Sequence, residues 1–66
     1  MDKYFNAYAI MFKVIEEDRR TAEIALEEKQ NIMNIATGIL GSKKEPTKEM
    51  MERTARTAIA IYFNYR

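Results

Sequence analysis

From Lys3 to Thr37 the chain contains no Gly and no Pro, and its polar and apolar positions hold one helical phase. With Tyr8 placed at heptad position a, position f reads Asn6, Lys13, Arg20, Glu27 and Asn34, and position b reads Ala9, Glu16, Glu23, Gln30 and Thr37. The opposite side (positions d, a and e) collects Tyr4, Phe5, Tyr8, Met11, Phe12, Ile15, Ala22, Ala25, Leu26, Ile32, Met33, Ala36, Ile39 and Leu40. One solvated face and one apolar stripe at this spacing specify an amphipathic helix. A strand needs clean alternation, which Tyr4 to Ile15 lacks.

The stripe has a gap: Asp18 and Arg19 take positions d and e, and Lys29 takes position a. The segment Glu16-Glu17-Asp18-Arg19-Arg20 is either a polar layer within one helix or a turn between two. Continuity is favoured because the phase does not slip and no Gly, Asn or Pro marks a turn. The opposite-charge pairs Lys13/Glu17, Glu16/Arg20 and Arg19/Glu23 also fall at i,i+4, each supporting helix by about 0.2–0.5 kcal/mol. Against it, Asp18 and Thr21 can each cap a new helix.

The stop is clearer. Gly38 weakens the helix, and Gly41 stands where a left-handed residue is wanted after Leu40. Ser42 to Glu45 reads as a charged loop, and Pro46 cannot continue an incoming helix. Ser42 to Glu45 also has capping-box spacing, but Pro46 directly behind it moves the expected cap to Thr47. A second helix then runs from about Lys48 to Asn64, with Met50, Met51, Thr54, Ala55, Ala58, Ile61, Tyr62 and Tyr65 on its main stripe. Ile59 and Phe63 fall outside that stripe, so this helix needs a second neighbour.

These elements predict an all-α, single-domain chain: a helix over about 3–40, a loop over 41–47 and an antiparallel helix over about 48–64. Folded as a hairpin, Tyr65 reaches only the Ala22 region, and Tyr4, Phe5, Tyr8, Met11, Phe12 and Ile15 overhang. That much contiguous apolar surface must be covered. Another copy of the chain can cover it, giving an oligomeric bundle whose interface is those six residues plus Ile59 and Phe63. The alternative is a compact three-helix bundle with a turn at Asp18–Thr21. The two solutions are related as a domain-swapped form and its closed form.

Composition sharpens the first solution. A chain of 66 residues has a marginal core unless a disulfide, a metal or a partner supports it. With no Cys there is neither a disulfide nor a thiolate site, and with no His the commonest metal ligand and general base is missing. Self-association remains, and a hydrophobic fraction of 47% suits it. The net charge of +1 provides no long-range steering toward nucleic acid or an anionic membrane. The apolar stretch Ala7–Phe12 is too short for a secretory signal, and no run approaches a bilayer span, so a cytoplasmic protein without membrane contact is expected.

Candidate chemistry is sparse. Glu16, Glu17, Asp18, Glu27 and Glu28 lie mostly on the outer face, where solvation accounts for them, and a carboxylate-bridged metal centre would want a Glu-x-x-His pair. The hydroxyls lack a His partner, and Gly38 and Gly41 do not form a phosphate loop. No catalytic residue, metal or cofactor is therefore expected. One constellation remains. Arg53 and Arg56 sit one turn apart and are followed by Tyr62, Tyr65 and Arg66. Arg beside a stacking aromatic can hold a phosphate and a base. The sequence therefore predicts a non-enzymatic, oligomeric helical interaction protein, a small regulator or inhibitor acting by binding another macromolecule. The alternative is a nucleotide- or RNA-binding module using those five residues.

Overall fold

The computed structural model describes residues 3–41 and 44–64, with side chains from residue 7 onward. Helix α1 spans Lys3–Glu17, a single 3-10 turn spans Arg19–Thr21, α2 spans Leu26–Leu40 and α3 spans Lys48–Asn64. Each helix packs against both of the others, so the fold is an all-α three-helix bundle. A continuous helix over 3–40 would be about 57 Å long. The longest dimension of the molecule is 30 Å.

The long helix is thus replaced by the three-helix alternative, and the cause is local. Asp18 takes an extended backbone, and its carboxylate accepts the Arg20 N–H at 2.8 Å. The same carboxylate binds the Arg20 guanidinium through two contacts of 3.0 Å. Arg20 is therefore paired inside the turn rather than back to Glu16. Thr21 is fully buried, and its hydroxyl donates to the carbonyl of Ile15, with the Asp18 carbonyl 3.2 Å away as a second acceptor. This bond satisfies a carbonyl that the end of α1 would otherwise leave without a partner. α2 begins after Ala25, which has no side chain to cap with, and Glu27 and Glu28 in the first turn favour the helix dipole instead.

The reversal wins because it buries the stripe of α1. Ala7, Met11 and Ile15 enter one core with Ile32, Met33, Ala36 and Leu40 of α2 and Met51, Ala55, Ala58 and Ile59 of α3. The buried face of α3 is rotated from the expected stripe. Ile59 is fully buried while Met50 and Ile61 are only half-buried, because α1 covers the side that a two-helix hairpin would leave in water.

The other boundary forms as expected, apart from its glycine. Thr47 caps α3, its hydroxyl accepting the Met50 N–H at 3.1 Å. Gly41 is right-handed, at φ −58° and ψ −20°, and not left-handed as its position suggested. Its N–H donates to the Thr37 carbonyl at 2.8 Å, and a Cβ there would stand 3.2 Å from that oxygen. Close approach, rather than handedness, is what a side chain at Gly41 would disturb.

The turn makes a testable distinction. Arg19 is exposed and opens the 3-10 turn behind an extended residue, the setting that Pro tolerates. Arg19→Pro should change stability by no more than about 1 kcal/mol, whereas inside a continuous helix it would cost about 3 kcal/mol or more. Urea unfolding midpoints separate the two.

Candidate functional site

The five residues of the basic-aromatic set are distributed along α3. Arg53 is exposed, and its guanidinium lies 3.4 Å from the Glu49 carboxylate one turn earlier. With both side chains more than 70% exposed, that pair contributes little. Arg56 is also exposed, and its charge makes the smallest of the contributions that lower the Asp18 carboxyl. Tyr62 is nine residues beyond Arg53, about 13 Å along the helix axis, and faces inward. Its hydroxyl donates to the Glu28 carboxylate at 2.8 Å, so the polar end of this ring is occupied by an acid from α2. Its ring meets Phe63 edge-on, with centroids 5.5 Å apart. Tyr65 and Arg66 lie outside the described residues. The structure thus pairs Arg53 with Glu49 and Tyr62 with Glu28.

The expected interface residues divide into groups. Met11, Ile15 and Ile59 are fully buried in the chain's own core, so the closed bundle does not offer them to a partner. In the closed bundle these residues are contacts among the chain's own three helices, and the cause is the reversal at Asp18. Phe12 and Phe63 are half-buried against the same core. Tyr8 is 47% exposed and stacks on Phe12 with the rings 6° from parallel and 6.0 Å apart. The side chains of Tyr4 and Phe5 lie outside the described residues.

Two apolar features were not singled out by sequence. Leu26, at the start of α2, is 59% exposed. An open cleft of about 220 Å³ lies between α2 and α3, lined by Ile39, Met50, Arg53, Thr54 and Thr57. Its signal in the sequence is the pair of threonines on α3, whose short side chains leave room beside the longer Met50.

The perturbed titratable groups belong to the turn. The Arg20 hydrogen bonds hold the Asp18 carboxyl below its usual range, against a smaller opposing effect of burial, with the charges of Arg20 and Arg56 adding to the lowering. Asp18 in turn raises the Arg20 guanidinium. A shift produced by a capping pair is a structural one. Among the described residues no buried side-chain nitrogen or oxygen lacks a hydrogen bond, and no group of three or more carboxylates is placed to hold a metal ion. No helix among them is long and apolar enough to cross a membrane. In comparisons with known proteins, no family model, curated protein or solved structure matches the chain significantly.

Proposed function

We propose that this is a non-enzymatic, homo-oligomeric interaction protein of the cytoplasm, a small regulator or inhibitor that works by binding another macromolecule. The observation that carries this reading is the stacked pair Tyr8–Phe12. The core is already complete with Ala7, Met11 and Ile15, yet α1 holds a further aromatic pair at its surface with Tyr8 about half exposed. Tyrosine presents a large, stiff apolar body with a polar tip, and for that reason it is enriched where proteins meet. The carboxylates and guanidiniums, by contrast, serve the turn, the solvated faces and, at Glu28, the Tyr62 hydroxyl.

The reading is tested by light scattering from micromolar to millimolar chain concentration, beside a binding panel of mixed RNA and nucleotides at low salt. A dimer or larger species and a silent panel are expected. A strict monomer at the highest concentration removes the oligomeric part. Panel binding that falls steeply with salt would replace the reading by phosphate recognition.

A further inference from the structure

The apolar stripe does not stop at the turn. Ala22, Ala25 and Leu26 occupy the same heptad positions as Met11, Ile15, Ile32 and Met33. The latter four are at most 1% exposed, whereas Ala22 and Ala25 are exposed and Leu26 is 59% exposed. Besides Tyr8, the closed bundle therefore leaves the stripe exposed at Ala22, Ala25 and Leu26, in the connection between α1 and α2 and at the first residue of α2.

Part of this connection is helical already, in the 3-10 turn Arg19–Thr21 and at Ala22. The chain leaves helical geometry at Asp18, with φ −74° and ψ 138°, and re-enters it after Ala25, with φ −68° and ψ 155°. Both φ values lie near the helical value of about −63°, so the rotation at these residues is about ψ, by roughly 180–200°. Ala22 is right-handed helical at φ −59° and ψ −31°, and no described residue has positive φ. No Gly or Pro between Lys3 and Thr37 opposes a straight helix.

The bonds that hold the turn shut are local: the Asp18 cap, the Arg20–Asp18 pair and the Thr21 hydroxyl on Ile15. A straight helix would exchange them for the backbone ladder through 18–25 and for the ion pairs Glu16/Arg20 and Arg19/Glu23. The contacts of α1 with α2 and α3 need not change, because an identical socket exists on a second copy. The arms are also equal. α1 and α2 have 15 residues each, and the midpoint of 3–40 falls between Thr21 and Ala22.

We infer that residues 18–25 are a hinge through which two copies of the chain exchange α1. In the exchanged dimer α1 and α2 form one helix, and the two such helices cross near their midpoints. Ala22, Ala25 and Leu26 meet their counterparts there, the alanines allowing close approach and Leu26 filling the contact on each side. The partner is a second copy of this chain. The inference rests on the homo-oligomeric reading above and adds how the oligomer forms.

Leu26→Pro tests it. In the closed bundle Leu26 is the first helical residue, behind an extended Ala25, which is the setting Pro prefers. In a continuous helix the same Pro removes a ladder bond and clashes, disfavouring the exchanged form by roughly a hundredfold per chain. Wild type is expected as a dimer whose mass-tagged and untagged copies mix only as slowly as the chain unfolds. Leu26→Pro is expected as a monomer with an undiminished melting temperature. Asp18→Ala, which removes the cap from the closed turn, should raise the dimer fraction. A Leu26→Pro dimer, or rapid copy exchange in wild type, overturns the hinge while leaving the oligomeric reading in place. A wild-type and Asp18→Ala chain that are both strictly monomeric overturn both. If Leu26→Pro fails to fold, the closed geometry assigned to Ala25 and Leu26 is wrong and the hinge falls with it.

Discussion

Ile59→Asp should leave the chain unfolded at 25 °C. Ile59 is fully buried in the core that α1 shares with α3, so the new carboxylate would have neither water nor a cation. Burying an unpaired charge of this kind costs several kcal/mol, or forces the core open to hydrate it. A domain of this length has in total about 3–10 kcal/mol to lose. The far-UV helical signal should therefore collapse, and Ile59→Val should lower stability by only about 0.5–1.5 kcal/mol. The contrast separates the bundle from an isolated two-helix hairpin, which places residue 59 in water, where Asp would be nearly silent. An Ile59→Asp chain that melts like wild type would exclude the three-helix core.

Thr21→Val should cost about 1–3 kcal/mol, with almost no change in shape. Thr21 is fully buried and its hydroxyl reaches the Ile15 carbonyl across the end of α1. Valine keeps the volume and removes the donor, leaving that carbonyl without its partner. Thr21→Ser keeps the donor and removes a methyl group, so it isolates the packing share. Urea unfolding at low chain concentration measures both. If Thr21→Val is as stable as wild type, the hydroxyl does not fasten the turn. In an uninterrupted helix residue 21 would lie on the flank of the stripe, where the exchange is close to neutral.

The parts of the fold visible in the sequence are those written in local chemistry. Pro46 and the Thr47 cap mark the start of α3, and the helical phase marks both α1 and α2. Ile59 and Phe63, off the main stripe, already required a second neighbour, and α1 provides it. The break between α1 and α2 was legible only as the alternative, at the Asp18–Thr21 segment where it occurs. It uses no Gly, Asn or Pro, it keeps the phase, and one of its bonds joins Thr21 to a carbonyl six residues back. The i,i+4 charges argued the other way, yet each is worth only tenths of a kcal/mol, far less than burying Met11 and Ile15. The surroundings of Tyr62 were hidden for a similar reason. Arg53, Arg56 and Tyr62 are neighbours in sequence, but Glu28, which holds the Tyr62 hydroxyl, is 34 residues away, and nothing near Tyr62 announces it.

The α2 wall of the cleft has a property that its shape does not show. Ile39 lies in a stretch bounded by two glycines, Gly38 and Gly41. Nothing lies within 4 Å of where a Cβ on Gly38 would stand, so packing does not require the glycine there. It withholds about 1 kcal/mol of helical preference that Ala would provide. This last turn of α2 is thus held to the bundle by the burial of Leu40 more than by its own helix. It is the part of the cleft that can loosen without disturbing Ile32, Met33 and Ala36, so the wall can yield to the outline of whatever lies against it.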